Sequence, residues 1–167
     1  KNNRLKVIKK YNNFKFYKID ICDYKNLKKN FSNNKYDFVV HLAAQAGVRY
    51  SISNPRTYLE NNINGFFNVI ELSKNFNIKH FLYASSSSVY GSNTSFPLSE
   101  DQKTDSPLSF YAASKKSNEL IAHSFSNIYG LKTTGMRFFT VYGPYGRPDM
   151  SLFKFTKSIS QKQKINL

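Results

Sequence analysis

Tyr111 and Lys115 stand four residues apart in the run YAASK, so on a helix their side chains share one face, a turn apart. A phenol with a pKa of about 10 is a poor base near neutrality, and a neighbouring ammonium favours the phenolate and draws that value toward the working range. Four consecutive serines, Ser85 to Ser88, precede the pair by about one helix-and-loop length. A serine hydroxyl held opposite the phenol would complete a site for proton transfer. The spacing alone recurs by chance in many helices, so its meaning depends on the elements that position it.

Those elements alternate. Phe14 to Ile21 (FKFYKIDI) mixes aromatic and β-branched residues and ends near Asp20 and Asp23, which predicts a strand followed by a helix cap. Tyr24 to Phe31 reads as a short Lys-rich helix. Asp37 to Leu42 (DFVVHL) is a brief apolar run before small Ala43 and Ala44, the pattern of a buried parallel strand. After a polar turn, Asn54 and Pro55 supply an N-cap and a first-turn proline. Leu59, Ile63, Phe66, Phe67 and Ile70 then recur at helical spacing to about Asn75. Lys79 to Ser85 returns to strand character.

Asn93 to Pro107 reads as a surface excursion with two prolines. Ser109 can cap the helix that carries Tyr111 and Lys115 and stops at Gly130. Lys132 to Phe139 is another strand, followed by a turn-rich segment from Tyr142 to Pro148 and a basic helix from about Ser151. Strand and helix in alternation predict one α/β domain with a doubly wound parallel sheet. In such a sheet ligands bind outside the carboxyl ends of the strands. One cleft should therefore gather Asp20, Leu42 to Gln45, Ser85 to Ser88, Phe139 to Tyr142 and the start of the Tyr111 helix.

Composition narrows the function classes. The chain has 167 residues, 40% apolar and 16% aromatic, which suits a packed core and argues against disorder. Lys and Arg number 25 against 10 acidic residues, for a formal charge of +15. The lysines are scattered over separate presumptive helices and no nucleic-acid motif accompanies them, so a solvated basic surface is expected and nucleic acid is not an expected partner. No run of 18 apolar residues and no apolar signal core within Lys1 to Lys10 is present, so no membrane association is expected. The single cysteine, Cys22, leaves no disulfide framework and no Cys-based metal cluster, which fits a reducing compartment such as the cytoplasm. Tyr90, His41, His80 and His123 read as structural.

Four segments in order, HLAAQAGVRYS (His41 to Ser51), YASSSSVYG (Tyr83 to Gly91), YAASK (Tyr111 to Lys115) and RFFTVYGPYGRPDM (Arg137 to Met150), resemble the extended short-chain dehydrogenase/reductase (NAD-dependent epimerase/dehydratase) superfamily. Within it they are most similar to the nucleotide-sugar epimerases of the UDP-glucuronate 4-epimerase type. The resemblance covers Asp20 to Lys157 and implies a Rossmann-like fold that binds NAD. It implies Tyr111 as the base, Lys115 as the group that lowers its pKa and holds the nicotinamide ribose, and Ser86 as the hydroxyl partner, three residues before Val89. Asp20 and Ile21 match the adenine side; Leu42, Ala43 and Ala44 match the loop beside the pyrophosphate and ribose. Ser87, Ser88, Thr140 and Arg147 match substrate contacts, with Arg147 suited to a carboxylate through its planar fork. The implied reaction is 4-epimerisation of a UDP-sugar through a transient 4-keto form, in a homodimeric protein.

Related dehydratases and decarboxylases place acidic residues where this chain has Ser87 and Ser88, so the serines favour simple epimerisation. A UDP-galactose 4-epimerase is the alternative within the family, and a noncatalytic nucleotide-binding fragment is the alternative outside it. None of the seven glycines forms a G-x-x-G-x-x-G loop, the backbone cradle that holds a dinucleotide pyrophosphate. The family's carboxyl-terminal substrate lobe is also without a counterpart. The domain is accordingly expected to be partial, truncated at both ends, and inactive by itself.

Overall fold

The structure is a computed structural model that describes residues 2–93 and 95–165. They fall into two compact units, residues 18–139 and residues 2–17 with 140–165. The larger unit holds three strands, β1 (Phe38–His41), β2 (His80–Ala84) and β3 (Thr133–Met136). All pair in parallel in the order β1-β2-β3. His41 is level with Tyr83, and Ala84 with Met136, so the three carboxyl ends open on one edge.

Helices return the chain between the strands. Helix α2 (Tyr24–Asn33) starts where the Asp23 carboxylate accepts the Asn26 N–H at 3.1 Å, the expected cap. Between β1 and β2 run α3 (Val48–Ser53), α4 (Pro55–Tyr58), a π-helical segment (Leu59–Asn64) and α5 (Gly65–Asn75). Between β2 and β3 lie a 3-10 turn (Ser87–Tyr90) and α6 (Phe110–Tyr129). Helix α6 begins at Ser109, whose hydroxyl accepts the Ala112 N–H at 3.1 Å, and ends at Gly130 in the left-handed region. Leu27, Phe31, Phe66, Ile70, Leu72, Phe81, Tyr83 and Ala122 form the core between these helices and one face of the sheet.

The smaller unit contains α1 (Asn2–Ile8) and α7 (Ser151–Ser160). The sequence reading had no helix at Asn2–Ile8. Among the described residues no helix is long and apolar enough to cross a membrane.

Four expectations need correction. Phe14 to Ile21 is not a strand, because no described residue offers it a ladder partner. The β1 run is not buried on both faces: Phe38 is 62% and Val40 59% exposed, because they point to the opposite face of the sheet from Val39 and His41, which pack toward the core. The turn before Asn54 contains helix α3, and Asn54 sits at the α4 N-cap position without a side-chain capping bond, its amide donating instead to Ser53 Oγ at 2.9 Å. The long helix to Asn75 is interrupted by the π segment.

Residues 92–108 run irregularly as expected, with Thr94 outside the described residues. The excursion returns tightly. A Cβ on Gly91, whose φ is +61°, would meet Ser106 O at 2.3 Å, so only glycine fits there.

Candidate functional site

Tyr111 and Lys115 lie in the first turns of α6, on one face as their spacing predicts. Tyr111 is partly buried, its ring edge-on to Tyr58 with centroids 6.1 Å apart. Lys115 is 3% exposed, and its ammonium donates to Ala84 O at 2.9 Å. Burial draws the lysine down to about 8, so it still carries its proton at neutral pH. The desolvation cost of that cation is retained in the folded state.

The bond to Ala84 O ties α6 to the carboxyl end of β2, immediately before the serines. Ser85 and Ser86 are buried, Ser87 and Ser88 partly so. Ser86 is extended and caps the 3-10 turn, its Oγ accepting the Ser88 N–H at 3.2 Å. The loop also continues the ladder to the segment after β3, with Ser85 N–H donating to Met136 O (2.8 Å) and Ser87 N–H to Phe138 O (2.9 Å). Strand edge and helix thus converge on Ser86.

Leu42, Ala43 and Ala44 leave β1 at the same edge and are exposed. The loop behind them is anchored by two buried side chains that the sequence reading passed over. Asn62 accepts the Gln45 N–H at 2.8 Å and donates to Gln45 O at 3.1 Å, and the Tyr58 hydroxyl donates to Gly47 O at 2.5 Å. Glu119 and Arg137 were also without an assigned role. Glu119 follows Lys115 by four residues on the same helix, so spacing puts it on the same face; Arg137 opens the RFFTVYGPYGRPDM segment, and no spacing rule pairs it with Glu119.

Asp20 and Ile21 part company. The Asp20 side chain is exposed and accepts the Cys22 N–H at 2.9 Å. Ile21 turns into the core, and a Cβ on Gly65 would lie 2.6 Å from its Cδ1. The smaller unit carries Thr140 and Arg147, which line a cavity of about 250 Å³ together with Tyr142, Met150, Phe153 and Thr156. Arg147 Nε donates to Asp149 Oδ1 at 3.0 Å, with a second bond from Nη2 to Oδ2. That pairing holds the Asp149 carboxyl below its ordinary range.

The site therefore offers a phenol and a buried ammonium on one helix face, a hydroxyl turn at a strand end and small exposed residues at the same edge. Such a set suits a proton transfer to or from a bound ligand, with small side chains for close approach and an ammonium with three N–H donors.

A model of the NAD dependent epimerase/dehydratase family matches residues 1–167. The Staphylococcus aureus protein CapI is 59% identical over 167 residues, all of this chain and 50% of that protein. A UDP-glucuronate 4-epimerase of Thermodesulfobacterium geofontis is 48% identical over 164 residues, 98% of this chain and 50% of its own length. The crystal structure of a UDP-glucuronic acid 4-epimerase from Bacillus cereus, in complex with UDP-glucuronic acid and NAD, superposes with a TM-score of 0.87 at 32% identity. That match covers 97% of this chain and 50% of the other. The chain spans about half the length of the curated relatives it matches.

Proposed function

Since the chain belongs to the NAD dependent epimerase/dehydratase family, we propose that the whole protein is an NAD-dependent UDP-sugar 4-epimerase that interconverts UDP-glucuronate and UDP-galacturonate. The observation that carries this reading is the bond from Lys115 to Ala84 O, which draws the Tyr111 helix and the Ser86 turn to one strand end.

NAD, when bound, supplies the chemistry of removing and returning the C4 hydride. Asp20, Leu42, Ala43, Ala44 and Lys115 are the residues of this chain that would hold it. Tyr111 takes the proton from the C4 hydroxyl and later gives it back. Ser86 hydrogen-bonds the same oxygen and orients it. Lys115, cationic at neutral pH, keeps a positive charge one helical turn from the phenol. Ser87 and Ser88 contact the sugar without bringing an acid to the site, so the 4-keto form is reduced again rather than dehydrated. In the smaller unit, the Arg147 guanidinium fork that pairs with Asp149 has the planar geometry that suits a uronate carboxylate.

The identity of the sugar rests on the resemblance of the GRPD segment and on the named relatives. A UDP-galactose 4-epimerase would use the same proton chemistry on a sugar without the carboxylate. Chromatography of UDP-sugars incubated with the full-length protein separates these outcomes. UDP-galacturonate is expected from UDP-glucuronate, and Tyr111→Phe should lower kcat by about 10² to 10⁴-fold, the usual worth of general acid-base help. Wild-type turnover in that variant would refute the role of Tyr111.

A further inference from the structure

Glu119 is the centre of a partly buried charge cluster that the proton-transfer scheme does not use. Its carboxylate accepts two parallel bonds from Arg137, Nε to Oε1 at 2.9 Å and Nη2 to Oε2 at 3.0 Å. It accepts the Ser85 hydroxyl at 2.6 Å and lies 3.7 Å from the Lys116 ammonium. Arg137 in turn stands over the Tyr90 ring, 5.0 Å from its centroid. Burial pushes the Glu119 carboxyl toward its protonated form, but the Arg137 and Ser85 hydrogen bonds outweigh it and hold the pKa below its ordinary range.

The geometry places this cluster at both ends of the serine turn. Ser85 lies just before Ser86, and Tyr90 closes the 3-10 turn that Ser86 caps. On α6, Lys115 and Glu119 are one turn apart and bond successive residues of the other segment, Ala84 through its carbonyl and Ser85 through its hydroxyl. A helix pinned at two successive residues of a neighbouring strand end can neither slide nor rotate against it. Bidentate Arg–carboxylate bonds add orientation to energy.

We propose that Glu119, with Arg137 and Ser85, is the positioning device that sets the distance between the Ser86 hydroxyl and the Tyr111 phenol. This inference rests on the reaction proposed above. Glu119 touches neither sugar nor dinucleotide in this scheme; it acts through Ser85 on the next residue.

Steady-state kinetics of the full-length protein with UDP-glucuronate test it, at a temperature where circular dichroism shows every variant folded. Ser85→Ala removes only the loop's grip on Glu119 and leaves the Arg137 pair intact. It should lower kcat about tenfold or more, since ångström-scale misplacement of reacting groups costs up to about 100-fold, while KM changes less than about threefold. Ser85→Thr keeps a hydroxyl and should restore most of the loss. Glu119→Gln keeps an acceptor for Ser85 but weakens the Arg137 fork, and should fall between Ser85→Thr and Ser85→Ala. Wild-type kcat in Ser85→Ala, or a loss that Thr does not rescue, overturns the positioning role. An inactive wild-type protein would instead refute the reaction itself, so the two failures are distinct.

Discussion

His41 ends β1 with its ring between two aromatic neighbours, edge-on to Phe66 at 5.4 Å and stacked on Phe81 at 6.1 Å. It is 6% exposed. Burial first, and the Lys115 charge second, push its pKa down to about 4, so the folded protein holds it neutral. The unfolded chain takes up that proton near pH 6.5. Between pH 6.5 and about 4 the unfolded state therefore binds more protons, and stability falls as the pH falls through that window. The full effect is roughly 3 kcal/mol as an upper bound. His41→Phe keeps an aromatic ring in the slot and removes the titration. Chemical denaturation at pH 7 and pH 5 should show a smaller loss of stability in the variant than in the wild type, and equal losses would contradict the burial argument. The sequence reads His41 as structural; its proximity to Lys115 is a product of the tertiary fold.

The segment from Pro55 to Asn75 shows where helical periodicity stops being informative. Leu59, Ile63, Phe66, Phe67 and Ile70 keep helical spacing, yet Leu59 is 43% and Phe67 42% exposed while Phe66 and Ile70 are fully buried. The π segment at Leu59–Asn64 advances the helix by an extra residue, so the apolar stripes before and after it are out of phase. The shift turns Asn62 inward. Besides its bonds to Gln45, Asn62 donates to Ser114 Oγ at 3.0 Å, and with the Asn118 amide nitrogen facing the carbonyls, Asn118 donates to Asn62 O at 2.7 Å and Ser114 O at 3.1 Å. This network links the loop after β1 to the Tyr111 helix. Asn62→Ala would leave the partly buried Gln45 N–H and C=O without their side-chain partner, at up to about 1–3 kcal/mol for each group. A fall in unfolding free energy of at least about 2 kcal/mol is expected from urea denaturation; a change below about 0.5 kcal/mol would show that the network is dispensable. A polar residue at a helical position among apolar ones gives little warning of such a role, because an exposed Asn has the same sequence appearance.

At the scale of the whole molecule, the alternation of helix and strand and the shared carboxyl edge of β1, β2 and β3 are legible because each depends on local pattern and on a topology rule. The strand expected at Phe14 to Ile21 was not formed, because pairing requires a neighbour and local pattern cannot supply one. The exposed Phe38 and Val40 on β1 have the same origin: an apolar run shows that a face can be buried, not that another element covers it. The cofactor site raises the same question. Asp20, the Leu42 to Ala44 loop and Lys115 are proposed for the adenine, pyrophosphate and ribose flanks, but no glycine-rich N–H cradle for the pyrophosphate occurs in these 167 residues. The +15 charge attracts any polyanion weakly and in a salt-dependent way. Residues 1–167 prepared alone should therefore bind NAD only weakly at low salt and lose that binding as salt is raised. The full-length protein should hold NAD at either ionic strength, because a site built from directed hydrogen bonds is screened far less than a diffuse charge. Isothermal titration of both proteins at two salt concentrations makes the comparison. Micromolar, salt-insensitive binding by the 167-residue chain would mean that its own loops hold the pyrophosphate without a glycine cradle, contrary to this expectation.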